Sequence, residues 1–306
     1  MSPEAGEWRA FHVFYFDPGH VDELLVEAGK LMSALGPKPV HWFFIQYAEG
    51  GMHLRFRLRD SPSCYNQFLQ GVRAKAWALA QSPGEMSEPP AGGFADERGH
   101  FHFPGSIVEI PYVPEIQRYG GPDALVENEA LFAFSTSLAL KLIGATLGDI
   151  PKRARLAIDL MLAAAIVAVE DSGREGEFFE AYSRFWASNL LKASRMPEGS
   201  RLTSTPMAQS RLQSLREFGE SGDAPKSPSH LWLRRLAEAR RRFQDLAASG
   251  KLVSPAEGKI VTDRPGRESA VSNMLMSQIH MLNNRLGIPP YLEMMWAAAL
   301  ARSLGR

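Results

Sequence analysis

Hydrophobic and polar positions alternate most sharply across residues 52–60, M-H-L-R-F-R-L-R-D. Successive side chains of a strand point to opposite faces, so Met52, Leu54, Phe56 and Leu58 fall on one side and His53, Arg55, Arg57 and Arg59 on the other. The run before it, 40–47 (V-H-W-F-F-I-Q-Y), is apolar at both parities and rich in aromatic and β-branched residues. That predicts a strand covered on both faces and central in its sheet, with the basic strand as its neighbour. Between them, A-E-G-G at 48–51 has the length and glycines of a hairpin loop. Upstream, 8–16 predicts a first strand ended by the turn residues Asp17-Pro18-Gly19. A helix is then expected over 21–35, where Leu24, Leu25, Ala28, Leu31 and Met32 recur at helical spacing, with Gly36-Pro37 as its stop. Ser61-Pro62-Ser63 caps a second helix over 65–80.

Residues 82–93 are rich in Pro, Gly and Glu and predict a long loop. Strand character resumes at 101–103 and 106–112 and leads into P-Y-V-P-E-I-Q-R-Y-G-G-P at 111–122. From Pro122 the pattern turns helical, with helices expected at 123–147, 152–171, 176–193, 207–219, 229–249, 267–286 and 290–303. The order strand, helix, hairpin, helix, followed by helices alone, predicts an α+β fold. An N-terminal antiparallel or mixed sheet with packed helices, residues 1–122, precedes a mostly helical half, 123–306, the two forming one integrated domain around a shared cleft.

With 45% hydrophobic and 22% charged residues, the 306-residue chain can bury a full core. Its 34 Lys and Arg balance 34 Asp and Glu, so no overall field favours nucleic acid or an anionic membrane, and recognition by charge must be local. One cysteine, Cys64, excludes an internal disulfide and a Cys-built zinc or iron–sulfur site. The first residues, M-S-P-E-A-G-E-W-R, lack the regions of a signal peptide. The longest apolar run, 156–169, is interrupted by Asp159 and too short for a bilayer. A cytoplasmic protein in a reducing compartment is expected.

The basic strand puts Arg55, Arg57 and Arg59 on one face. Alternate strand residues lie roughly 6.5–7 Å apart, a spacing that lets neighbouring guanidinium groups hold two ends of one small anion; an ordinary solvated strand face has the same pattern. Tyr112, Glu115, Arg118 and Tyr119 crowd a Pro- and Gly-punctuated segment between strand and helix, where functional groups are often positioned, although Glu115 and Arg118 could equally pair with each other. On the helix at 267–286, Asn273, Ser277, His280 and Asn284 form one polar stripe against apolar surroundings. Such a stripe needs partners, either other helices or a wet cavity. His280 is the group there that can exchange protons near neutrality. His100 and His102 share a strand face but make no metal set, and no metal is expected. There is no G-x-G-x-x-G, P-loop or G-x-S-x-G to argue for a nucleotide or a serine nucleophile.

Three separated pieces resemble one family. W-F-F-I-Q-Y at 42–47 with H-L-R-F-R-L at 53–58, Y-V-P-E-I-Q-R-Y-G-G at 112–121, and S-Q-I-H-M-L-N-N-R-L at 277–286 are similar, in order, to the C-terminal domain of lantibiotic dehydratases, which also occurs as stand-alone proteins in thiopeptide biosynthesis. The resemblance runs from about residue 8 to 300. It implies glutamate elimination: a precursor peptide whose Ser or Thr carries a glutamyl ester, placed there by a separate tRNA-dependent glutamylating enzyme, loses glutamate to give dehydroalanine or dehydrobutyrine.

The positions that match the family's functional residues are Arg55, Arg57, Glu115, Arg118 and His280. His53, Tyr112, Tyr119, Asn273, Ser277 and Asn284 are the expected substrate-binding side chains beside them. Gln46 stands where an Arg is common, and Pro114 precedes Glu115 where full-length dehydratases often have Arg; both departures bear on the shape of the glutamate pocket. The chemistry needs a base for the α-proton and stabilisation of enolate-like charge, without cofactor or metal. Within the family the alternative is a pyridine synthase, which joins two dehydroalanines by formal aza-cycloaddition and expels the leader. Outside it, the alternative is a non-catalytic peptide-binding scaffold. The expected partner is the precursor peptide, leader plus modified core, with a homodimer left open.

Overall fold

The computed structural model describes residues 7–15, 18–35, 41–59, 62–80, 102–103, 105–190 and 205–305. The chain divides into two compact units, Met1–Pro114 with Thr136–Gly148, and Glu115–Ser135 with Asp149–Arg306.

The first unit holds β1 (Arg9–Phe14), α1 (Pro18–Ala34), β2 (His41–Tyr47), β3 (His53–Arg59), α2 (Pro62–Ala80) and β4 (Ile107–Glu109). The strands form one antiparallel sheet in the order β2-β3-β1-β4. Period-two alternation sorts its faces. Phe11, Phe56 and Phe44 are cross-strand partners in one row, all fully buried, and α2 lays Tyr65 and Phe68 against them, with Phe56 and Phe68 5.4 Å apart. Each buried aromatic contributes roughly 1.5–3 kcal/mol, so this apolar face holds the unit together. The opposite face carries Tyr47, His53 and Phe14 in one row, Ile45, Arg55 and His12 in the next, and Phe43, Arg57 and Ala10 in the third.

Two expectations need correction. β2 is the terminal strand of the order and β3 an interior one. β2 nevertheless buries Trp42 to Ile45 on both sides, because Phe68 covers Trp42 while Trp8 and Tyr112 cover Phe43; face coverage, not central position, made the run apolar. His102 and Phe103 belong to no strand, and Phe103 is exposed. His100, Phe101, Asp17, Gly36-Pro37, Ser61 and the 82–93 loop lie outside the described residues.

α3 (Pro122–Ala145) contributes its first part to the second unit and its end to the first. The second unit adds α4 (Ile150–Ala168), α5 (Glu175–Leu190), α6 (Thr205–Ser221), α7 (Pro228–Ala248), α8 (Arg264–Arg285) and α9 (Pro290–Leu304). Three of these start alike. Asp149, Ser227 and Asp263 accept from the backbone N–H of Lys152, His230 and Gly266, each with Pro in the first turn, which satisfies otherwise orphaned donors and fixes φ. α4 is buried nearly all round, from Ala157 through Ala165, and packs on α7 and α8, while α5 pairs with α9. Among the described residues, no helix is long and apolar enough to cross a membrane.

Candidate active site

Two sets of polar side chains stand out, one in each unit. In the second, the segment after Pro114 turns back on itself, with Gly120 and Gly121 at φ +83° and +95°. A Cβ on Gly120 would lie 2.7 Å from Met274 Sδ and one on Gly121 2.8 Å from Val253 Cγ2. Both positions therefore need glycine for conformation and for space. The turn sets Arg118 on α8: its Nη1 donates to both oxygens of Glu115, at 3.2 and 3.3 Å, and its Nε to Ser277 Oγ at 3.4 Å. Burial would pull Arg118 down, but Tyr119 and Glu115 outweigh it and raise it.

Arg118, Ser277, Asn273 and His280 line one cavity of about 600 Å³, walled by Tyr182, Phe185, Trp186 and Met276, with Gln117, Pro255 and Ala256 completing it. The His280 Nδ1 lies 3.1 Å from Glu293 Oε1, and the Tyr182 hydroxyl donates to Glu293 Oε2. Glu293 has no exposed surface while His280 keeps 14% of its side chain exposed, so the imidazole meets the cavity and the carboxylate stands behind it. Burial, then the Glu293 charge, drive the Tyr182 phenol well above its usual range, which keeps it a donor. The Trp186 ring lies 4.5 Å from the imidazole.

In the first unit, Arg55 and Arg57 share the basic sheet face. The Arg55 guanidinium sits 3.6 Å over the Tyr47 ring, donates from Nε to His53 Nε2 at 2.9 Å, and reaches Glu49 from Nη2 at 3.4 Å. Arg57 lies over Phe43 and Tyr112, at 5.3 and 4.7 Å. Burial is the first cause lowering His53 to about 4. It is also the first cause lowering His12 to about 2, helped by repulsion from His53, Arg55 and Arg57. Gln46 is the cross-strand partner of Leu54, on the helix-covered face, and accepts from the Tyr15 hydroxyl. The departure at Gln46 therefore leaves the arginine face untouched.

The chain from residue 8 to 304 matches the family described as lantibiotic biosynthesis dehydratase C-term. It belongs to that family. Solved structures with the same fold include the pyridine synthase TbtD from thiomuracin biosynthesis (TM-score 0.65, 15% identity, 97% of each chain) and TsrL (TM-score 0.62, 20% identity, 98% of this chain and 99% of that one). The tRNA-dependent lantibiotic dehydratase MibB from Microbispora sp. 107891 also matches (TM-score 0.54, 17% identity), all of this chain against 28% of that one. At these identities the likeness concerns the fold. No curated protein sequence matches the chain.

Of the residues singled out in this dehydratase-family chain, the second unit groups Glu115, Arg118, Asn273, Ser277 and His280 at its cavity. Tyr119 is buried against Phe132, and Asn284 lies a turn beyond the lining residues. The first unit groups His53, Arg55, Arg57 and Tyr112. Sequence reasoning passed over Tyr182, Trp186 and Glu293. A signal existed for Glu293, the single acid in the apolar run Y-L-E-M-M-W-A-A-A-L of α9, since a carboxylate there must have a buried partner. Tyr182 and Trp186 look like ordinary core aromatics of α5 and carried none.

Proposed function

We propose that this chain removes glutamate from glutamylated Ser or Thr of a ribosomally made precursor peptide, leaving dehydroalanine or dehydrobutyrine, downstream of a separate tRNA-dependent glutamylating enzyme. The observation that carries the reading is the His280–Glu293 contact at the wall of a cavity that Arg118 also lines. With Nδ1 held by a buried carboxylate, His280 has Nε2 left to take the α-proton of the esterified residue, and Glu293 stabilises the imidazolium that forms. Loss of that proton leaves an enolate-like charge, whose electrons then form the Cα–Cβ double bond as the Cβ–O bond breaks, so glutamate departs as a carboxylate. Arg118, oriented by Glu115 and Ser277, stabilises the enolate-like charge through charge-assisted bonds. Arg55 and Arg57 are assigned to the carboxylate of the glutamyl group, with Tyr112 backing Arg57.

The test is direct. Purified protein incubated with a synthetic glutamyl-Ser peptide, without tRNA, ATP or added metal, should release free glutamate and leave a peptide lighter by glutamic acid. An inert glutamylated peptide beside turnover of a peptide carrying two dehydroalanines would overturn elimination. That second activity, pyridine synthesis, has its own support in the flat apolar wall of Tyr182, Phe185, Trp186 and Met276, which suits a ring more than an amino acid with charged ends. Elimination is preferred because it gives both arginine-bearing segments a task, holding a leaving carboxylate and its developing charge.

A further inference from the structure

We infer that His53 is a positioning residue for Arg55, fixing the plane of its guanidinium so that the Nη edge is presented to an anion. The inference rests on the assignment of Arg55 to the glutamyl carboxylate, and it moves His53, expected as a substrate-binding side chain but 1% exposed, to a role that acts through Arg55.

The hydrogen-bond roles leave one arrangement. His53 Nδ1 lies 2.8 Å from the carbonyl oxygen of Gly51. A carbonyl only accepts, so Nδ1 carries the proton. Arg55 Nε lies 2.9 Å from His53 Nε2, and a guanidinium only donates, so Nε2 presents its lone pair. The imidazole is therefore neutral and held in a single tautomer. Burial, which depresses its basicity to about 4, keeps it an acceptor through the neutral range.

The ring itself cannot turn away. It is 1% exposed, stacked on His12 with centroids 4.8 Å apart and planes 19° apart, against Phe14 at 4.6 Å, and met edge-on by Tyr47 at 5.8 Å. Tyr47 also covers one face of the guanidinium at 3.6 Å, and Glu49 takes part of Nη2. Arg55 is thus held at Nε and at one face before any ligand arrives. A long flexible cation becomes a preorganised one. The sequence element is H-x-R on one strand face, where side chains two apart are neighbours.

Two measurements test this. In protein labelled with ¹⁵N at histidine, the His53 resonances should show a protonated Nδ1 and a bare Nε2, and Arg55→Ala should shift Nε2. In kinetics on the glutamyl-Ser peptide, His53→Ala should lower kcat/KM about tenfold. His53→Gln, whose Oε1 can accept from Arg55 Nε, should recover most of that loss, and His53→Ala should cost nothing further in an Arg55→Ala background. Equal losses in both backgrounds with no recovery by glutamine would make His53 merely structural. If the wild type releases no glutamate, the elimination reading fails, and the resonances still decide: a proton on Nε2 overturns the role of His53.

Discussion

The basic sheet face of the first unit and the cavity of the second hold polar groups in different ways. On the sheet, Arg55 and Arg57 lie over aromatic rings, and Arg55 is also held by a neutral imidazole and by Glu49. In the cavity, His280 is held by a carboxylate with no exposed surface, itself bonded to a buried phenol. Rings and a lone pair orient a cation without neutralising it. A base held at one ring nitrogen by a buried carboxylate keeps its other nitrogen aimed for a proton instead. The first arrangement suits holding an anion; the second suits moving a proton.

The largest effect that could break this contrast is at Glu293. Glu293→Ala and His280→Ala should each lower glutamate release by about 10²–10⁴-fold, the range of a positioned general base, with Glu293→Gln intermediate because it keeps the shape but not the charge. Initial rates by glutamate detection, with circular dichroism as a fold control, would show it; near-normal turnover by Glu293→Ala would remove the carboxylate from the account. Next come the two faces of one strand. Phe56→Ala should cost about 3–5 kcal/mol of stability, whereas Arg57→Ala should cost about 1–2 kcal/mol, in line with half-buried cation–π pairs, while still lowering turnover. Urea melts of both variants compare them. If Arg57→Ala unfolds the protein as Phe56→Ala does, the basic face is a core face.

A smaller effect follows from acid. His12 and His53 have folded-state basicities below the unfolded value. The unfolded chain then binds the extra protons as pH drops below about 6.5. Stability is intact above that pH and is lost progressively as pH falls towards 4 for His53 and towards 2 for His12. The thermal midpoint should fall by roughly 5 °C or more between pH 7 and pH 4.5. His12→Phe should flatten that slope, and an unchanged slope would mean that these rings are not held neutral.

What the sequence disclosed follows from the same contrast. A strand writes its faces locally: Leu54, Phe56 and Leu58 against His53, Arg55 and Arg57 can be read from seven letters. The helices after Pro122 announced themselves through caps and prolines, and the stripe of Asn273, Ser277 and His280 was legible from the period of α8. The arrangement behind His280 was legible only in part: Glu293, 13 residues on, stands out as the single acid of its apolar run, and Tyr182 does not. Tyr182 and Glu293 stand 111 residues apart, and only the pairing of α5 with α9 makes them neighbours. β2 misled for a related reason: an apolar run reports how well its faces are covered, not which strand lies on each side.

The indole of Trp186 against the imidazole of His280, 4.5 Å between centroids, has an optical consequence. A protonated imidazole quenches indole emission more strongly than a neutral one, so the arrival of the α-proton on His280 should dim Trp186. Trp186 is one of six tryptophans, and the difference between wild-type and Trp186→Phe emission isolates its signal. Stopped-flow fluorescence on unlabelled protein could then time the proton transfer within a single turnover, separately from the departure of glutamate.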